Sequence, residues 1–159
     1  MTVSLWRIAV DAREYEAHDL SGKGAEKTGG RWNRPGRPVV YVATSIALAC
    51  LETVVHLGAE GLPLNRTLVR IDVPDDVWER RIVHRAEELP IGWNAVPEGK
   101  VSLDLGDGWL RSVVSALLMV PSAIVPEEFN VLINPLHSEG RRITATKARR
   151  WLYDGRLAR

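Results

Sequence analysis

At 159 residues, with 45% apolar content and a formal charge of +1, the chain has the size and composition of a single globular domain, residues 1–159, and argues against two independent ones. That near-neutral balance also argues against nucleic acid as a partner, so the basic residues crowding the C-terminus, Arg141, Arg142, Lys147, Arg149, Arg150, Arg156 and Arg159, read as a solvated helix face or a partner-binding surface. The lone Cys50 excludes an intrachain disulfide, Met1–Arg7 lacks the basic start of a signal peptide, and no segment reaches membrane-spanning length, so a cytoplasmic location is expected.

Val3 to Val10 reads as a first strand carrying Trp6. From Asp11 to Pro38 the chain is polar and glycine-rich, a length of loop that in a compact domain is usually functional. Val39 to Ala43 forms the next strand, and Thr44-Ser45 can cap a helix running from about Ser45 to Leu57. Apolar residues fall on nearly every face of that helix, which predicts extensive burial, and Gly58 and Gly61 end it. Thr67 to Val73 alternates as a half-buried strand stopped by Pro74, and Glu79 to Lys100 is irregular. A second helix is predicted around Asp104 to Leu117, strands over roughly Leu118 to Val125 and Asn130 to Asn134, and a last amphipathic helix from about Thr144 to Tyr153. Strands before and after helices, without regular βαβ alternation, indicate an α+β fold.

Glu52 stands out as the one carboxylate between Thr44 and Ala59, on a helix otherwise suited to burial. Burying an unpaired carboxylate costs several kcal/mol, so it needs a cation, hydrogen bonds or a solvent-filled pocket. Pairing with Arg31, or turning toward solvent, is the structural alternative. Arg31 follows Gly29-Gly30, and its planar donor fork could grip a diphosphate while the glycine backbone approaches the same oxygens; a surface arginine in a mobile loop is the rival. Tyr41 lies mid-strand, where its ring could stack on a base or simply pack at a sheet edge. Ser122, beside Pro121, could donate a hydrogen bond from a fixed turn or satisfy local backbone. The histidines His18, His56, His84 and His137 form no paired metal motif, so no metal and no resident cofactor are expected.

Taken together, Trp6-Arg7-Ile8, Gly29-Gly30-Arg31-Trp32-Asn33, Val40-Tyr41, Leu51-Glu52-Thr53-Val54-Val55-His56, Val120-Pro121-Ser122-Ala123 and Asn130 to Pro135 resemble the RES-domain family. Its namesake arginine, glutamate and serine would be Arg31, Glu52 and Ser122. The resemblance spans nearly the whole chain and implies an ADP-ribosyltransferase-like core, a mixed or antiparallel sheet with flanking helices. It further implies the toxin of a type II toxin–antitoxin system, restrained in a hetero-oligomeric complex by an Xre-like, helix-turn-helix antitoxin. The implied activity depletes NAD, a substrate here and not a cofactor, by cleaving the nicotinamide–ribose bond with water (glycohydrolase) or inorganic phosphate (phosphorylase). Modification of a cellular protein and a non-catalytic binding module are the alternatives. On this resemblance Glu52 would stabilise the oxocarbenium-like ribose, Arg31 would bind the diphosphate or nicotinamide ribose, and Tyr41 would orient the nicotinamide end. Gly30, Trp32, Asn33 and Ser122 would complete the binding cradle.

Overall fold

The computed structural model describes residues 1–158. Its frame is a seven-stranded sheet, and the alternation of apolar residues in the longest strands decides which faces are covered. Strand β1 (Thr2–Val10) pairs antiparallel with β3 (Arg66–Pro74) over nine positions, and β7 (Thr144–Trp151) lies outside β3 as an edge. On the other side of β1 come β2 (Val40–Ala43), β6 (Phe129–Ile133), β5 (Leu117–Pro121) and the short β4 (Ile82–Val83). All neighbours are antiparallel except β4 and β5, giving the order β4-β5-β6-β2-β1-β3-β7. The architecture is therefore the expected α+β type, with a mixed sheet and flanking helices.

Because strand side chains alternate, one face of the sheet gathers Leu5, Val42, Val69, Ile71, Leu117 and Val131 into a continuous core. Full burial of each such side chain is worth about 1.5–3 kcal/mol. Two helices divide the opposite face. Helix α4 (Lys100–Ser112) lays Trp109 and Leu110 against Leu118, Val120 and Leu132. Helix α2 (Ile46–Val54) lays Leu48 and Ala49 against Ile8, Ala43 and Leu68.

Several sequence expectations change. The segment predicted as a final helix, Thr144 to Tyr153, is strand β7: seven pairings with β3 outweigh the helical preference of its Ala, Lys and Arg residues. The C-terminal basic residues Lys147, Arg149 and Arg150 accordingly sit on a sheet edge and not on a helix face. Helix α4 begins four residues before the predicted Asp104 and stops at Ser112, where Val113 adopts a left-handed conformation (φ 52°), freeing Leu117 to open β5. Helix α2 buries only Leu48 and Ala49, since its far side faces a cleft and solvent; Val55, just past its end, is 52% exposed. The early loop contains helix α1 (Lys23–Thr28), and α3 (Asp75–Glu79) follows Pro74 directly.

Candidate active site

Strands β1 and β2 meet at one pairing, Trp6 with Ala43. Beyond it they part, and Arg7, Ile8, Val40, Tyr41 and Val42, which would otherwise continue the ladder, line a cleft of about 960 Å³. Small-molecule sites span roughly 300–1,000 Å³, so the cleft has room for a dinucleotide-sized ligand. Glu52 and Thr53 of α2, the Gly29-Gly30-Arg31 segment, the start of α1 and Asn130 of β6 complete its walls.

Helix α2 is fixed at its start by Ser45, whose Oγ accepts from the Leu48 N–H at 3.1 Å. Two turns on, Glu52 projects into the cleft and is held by one oxygen. Its Oε1 accepts from Ser122 Oγ at 2.7 Å and from Asn130 Nδ2 at 2.6 Å. Ser122 Oγ already accepts from the N–H groups of Ile124 and Val125 at 3.1 and 3.2 Å, so its single proton is directed to the carboxylate. Oε2 receives no hydrogen bond from the described residues. Ser122 is 0% exposed and touches the cleft only through Glu52. It is placed to aim Glu52, while a ligand in the cleft would meet Glu52 itself.

Arg31 and Glu52 form no ion pair; both line the cleft. The Arg31 guanidinium donates through Nη1 to the carbonyls of Trp93 (3.2 Å) and Ala95 (2.8 Å), and among the described residues no carboxylate neutralises it. Arg31 is half-buried, and the loop that carries it is tied down on both sides. Arg34 bridges to Asp107 and Asp104 of α4 at 2.8 Å each, and Trp32 stacks on Trp93 with ring centroids 6.3 Å apart. Helix α4 approaches so closely that a Cβ on Gly106 would collide with the Trp32 carbonyl.

Tyr41 ties the same loop from below. Its hydroxyl donates to Asn33 Oδ1 at 2.6 Å and accepts from the Trp32 N–H at 3.1 Å, and Gly30 is pressed against it, a Cβ there falling 2.8 Å from the oxygen. Burial pushes the Tyr41 phenol well above its ordinary value, so it remains a neutral donor. Its hydroxyl is committed within the protein, and the residue lines the cleft. Asn33 is buried, its Nδ2 donating to the carbonyls of Ala25 (3.0 Å) and Arg34 (3.2 Å); Trp32 is buried as well and forms the inner wall.

Two residues in the site carry no role in the expectations from sequence, where they stand only within the motifs Trp6-Arg7-Ile8 and Asn130 to Pro135. Arg7 of β1 lines the cleft, and its cationic form is disfavoured by burial, which draws the group below its ordinary value against the pull of Tyr15 and Asp19. Its one hydrogen bond from the guanidinium goes to the Asp19 carbonyl at 3.3 Å. Asn130 is the other. A charged residue inside an apolar segment is the available signal for Arg7, as it is for Glu52; a polar residue within the apolar run of β6 is the signal for Asn130. Two partly desolvated cations and an aimed carboxylate in one cleft suit a ligand that carries phosphate and a sugar on which positive charge can develop.

A family model described as the RES domain matches residues 4–154. A protein of Sphingobium sp. (strain YBL2) named "Prs ADP-ribosylating toxin" is 59% identical over 159 residues, covering 100% of this chain and 99% of its own length. A protein named "Toxin Res" from Pseudomonas putida is 42% identical over 139 residues, covering 86% of this chain and 88% of that protein. Another of the same name from Photorhabdus laumondii is 39% identical over 136 residues, covering 86% and 85%. Among solved structures, the M. tuberculosis MbcT–MbcA toxin–antitoxin complex contains a chain that superposes with a TM-score of 0.66 at 16% identity, over 94% of this chain and 85% of that one, and so shares the fold. With the domain model spanning nearly its full length and relatives this similar, the chain belongs to the RES-domain family.

Proposed function

We propose that the chain is the toxin of a toxin–antitoxin pair and that it breaks the nicotinamide–ribose bond of NAD within the β1/β2 cleft. The observation that carries this reading is the aimed carboxylate: Glu52 is fixed through Oε1 by Ser122 and Asn130, leaving Oε2 uncommitted among the described residues. As the glycosidic bond lengthens, positive charge develops on the ribose, and a preorganised carboxylate stabilises it without reorganising. The nicotinamide ring nitrogen is cationic before cleavage and leaves neutral with the bonding pair, so no strong acid is required. Positioning and electrostatics then dominate. Arg31 and Arg7 hold the diphosphate, and the Tyr41 ring borders the nicotinamide end.

The geometry speaks to the bond that breaks, and the Sphingobium relative speaks to the acceptor. That protein is similar over its whole length and is named for ADP-ribosylation, which favours transfer to a protein side chain over transfer to water or inorganic phosphate. A toxin of this kind needs restraint in the cell that makes it. The fold shared with a chain from a toxin–antitoxin complex supports an antitoxin as partner, for which an Xre-like helix-turn-helix protein is our proposal. The test uses purified protein, adenylate-labelled NAD and a cell extract. Nicotinamide release with label appearing on a protein supports the full reading; release with label only in free ADP-ribose or its phosphate moves the acceptor to water or phosphate. No nicotinamide release, with and without phosphate or extract, refutes it.

A further inference from the structure

The carboxylate of Glu52 is held by two donors of different standing. Ser122 directly follows β5 and is fully buried, whereas Asn130 belongs to β6 and itself lines the cleft. The backbone at Asn130 is fixed from both sides, opposite Val120 of β5 and Ala43 of β2. Thr44 adds a further tie at the same end, its Oγ1 donating to the Phe129 carbonyl at 3.1 Å. Alternation along β6 sends Phe129, Val131 and Ile133 to the continuous core and puts Asn130 with Leu132 on the opposite face, the face of α2 and α4. The amide nitrogen thus reaches Glu52 Oε1 at 2.6 Å from a support that cannot swing.

We infer that Asn130 is a positioning residue that selects the working oxygen of Glu52, a role that rests on the NAD-cleaving reading of the same cleft. With Ser122 Oγ and Asn130 Nδ2 both on Oε1, the lone pairs of that oxygen are occupied and its charge is drawn toward the protein. Oε2 is left to face the ribose. Asn130 acts through Glu52 and forms no bond to the reacting atoms. Without it the carboxylate would rotate about its last torsion and present either oxygen, with water as the replacement donor.

Two variants test this. Asn130→Ala should lower kcat by about 10- to 100-fold through misplacement of the carboxylate while changing the KM for NAD little. Asn130→Asp places a second carboxyl against Glu52. While that pair shares one proton, the protonated aspartate donates to Oε1 as the amide did; once both ionise they repel. The Asp variant should therefore regain activity as pH is lowered, whereas the Ala variant should not. The other titratable groups lining the cleft, Arg7, Tyr15, Asp19, Lys23, Arg31, Tyr41, His56, Arg66 and Glu98, are common to all three proteins and cancel in the comparison. A readout independent of turnover is thermal stability: the Asp variant's raised folded-state pKa makes its Tm deficit against wild type grow as pH rises, and adding Glu52→Gln, whose amide can donate to Asp, should abolish that growth. Wild-type kcat in Asn130→Ala, or an Asn130→Asp protein whose activity ratio and Tm deficit are flat with pH, overturns the inference. Either result leaves the NAD reading standing provided that wild type releases nicotinamide.

Discussion

A carboxylate in a cleft wall is useful chemically only if something other than its substrate holds it still, and for Glu52 that support comes from neutral donors, Ser122 and Asn130. Arg31 meets no carboxylate among the described residues, its anchors being the backbone carbonyls of Trp93 and Ala95. The paired arrangement that a non-catalytic module would need, Arg31 on Glu52, is not formed. Tyr41 is the residue whose role the structure shifts most, from a stacking platform toward a tether of the Gly30–Asn33 loop. Replacing it with Phe removes the acceptor for the buried Trp32 N–H and the donor to Asn33, at a cost of about 1–3 kcal/mol for each group left unsatisfied. Tyr41→Phe should therefore lower the Tm by several degrees in a thermal melt, where a pure stacking role predicts no change. Glu52 was legible in the sequence because a single charge in an apolar helix demands an explanation. Arg7 offers the same signal in β1 but a weaker one, because one strand residue in two can face solvent without comment. Trp32 and Asn33 enter as cradle residues through the family resemblance, and nothing local to them announces that α4, some 70 residues on, closes over the loop.

Among the elements, α4 and the Gly29–Arg34 loop act as one unit. Gly106 lets the helix backbone press on the Trp32 carbonyl, and Asp107 receives the Arg34 N–H at 3.1 Å and its guanidinium at 2.8 Å. Gly106→Ala should force the two apart, costing about 1–3 kcal/mol as an overpacking change and displacing Arg31. The expected signature is a lowered Tm together with a raised KM for NAD, since the diphosphate grip is disturbed while Glu52 is not; an unchanged melt and KM would show that the loop is positioned by other contacts. Strands β1, β2, β3, β5 and β6 were readable from alternation and turn residues, and α2 from Ser45 and its apolar run. Strand β7 was not. Thr144-Ala-Thr-Lys-Ala-Arg-Arg-Trp carries one deeply apolar side chain, and its conformation is dictated by the free edge of β3, which no local pattern reveals.

For the molecule as a whole, the departure of β1 from β2 is what turns a sheet into an active-site scaffold, because it opens the centre of the fold while helix α2 on one face and the continuous core on the other keep the halves together. The α+β class was legible from the order of elements, but the sheet order, including the parallel β4–β5 pair, follows from long-range pairing that spacing does not encode. Surface charge makes its own contribution to stability. Asp76 is held well below the ordinary carboxylate range by Arg142 and Arg80, and Glu139 is lowered by Arg80, linking α3 to the segment that leads into β7. Depressed folded-state values mean that this stabilisation is present above the unfolded pKa of about 4 and is lost as pH falls through the lower folded ones. Melts from pH 7 to pH 3 should show Tm falling most steeply at the acid end, with a shallower fall in Asp76→Asn; the network is solvent-exposed, so added salt should blunt the difference. Every role proposed for the cleft requires that Glu52 act on NAD. In a direct assay of nicotinamide release by purified protein, wild type should turn over and Glu52→Gln, with an unchanged melt, should be slower by about 100- to 1,000-fold; equal rates in the two proteins, or no release from wild type under any acceptor condition, would contradict it.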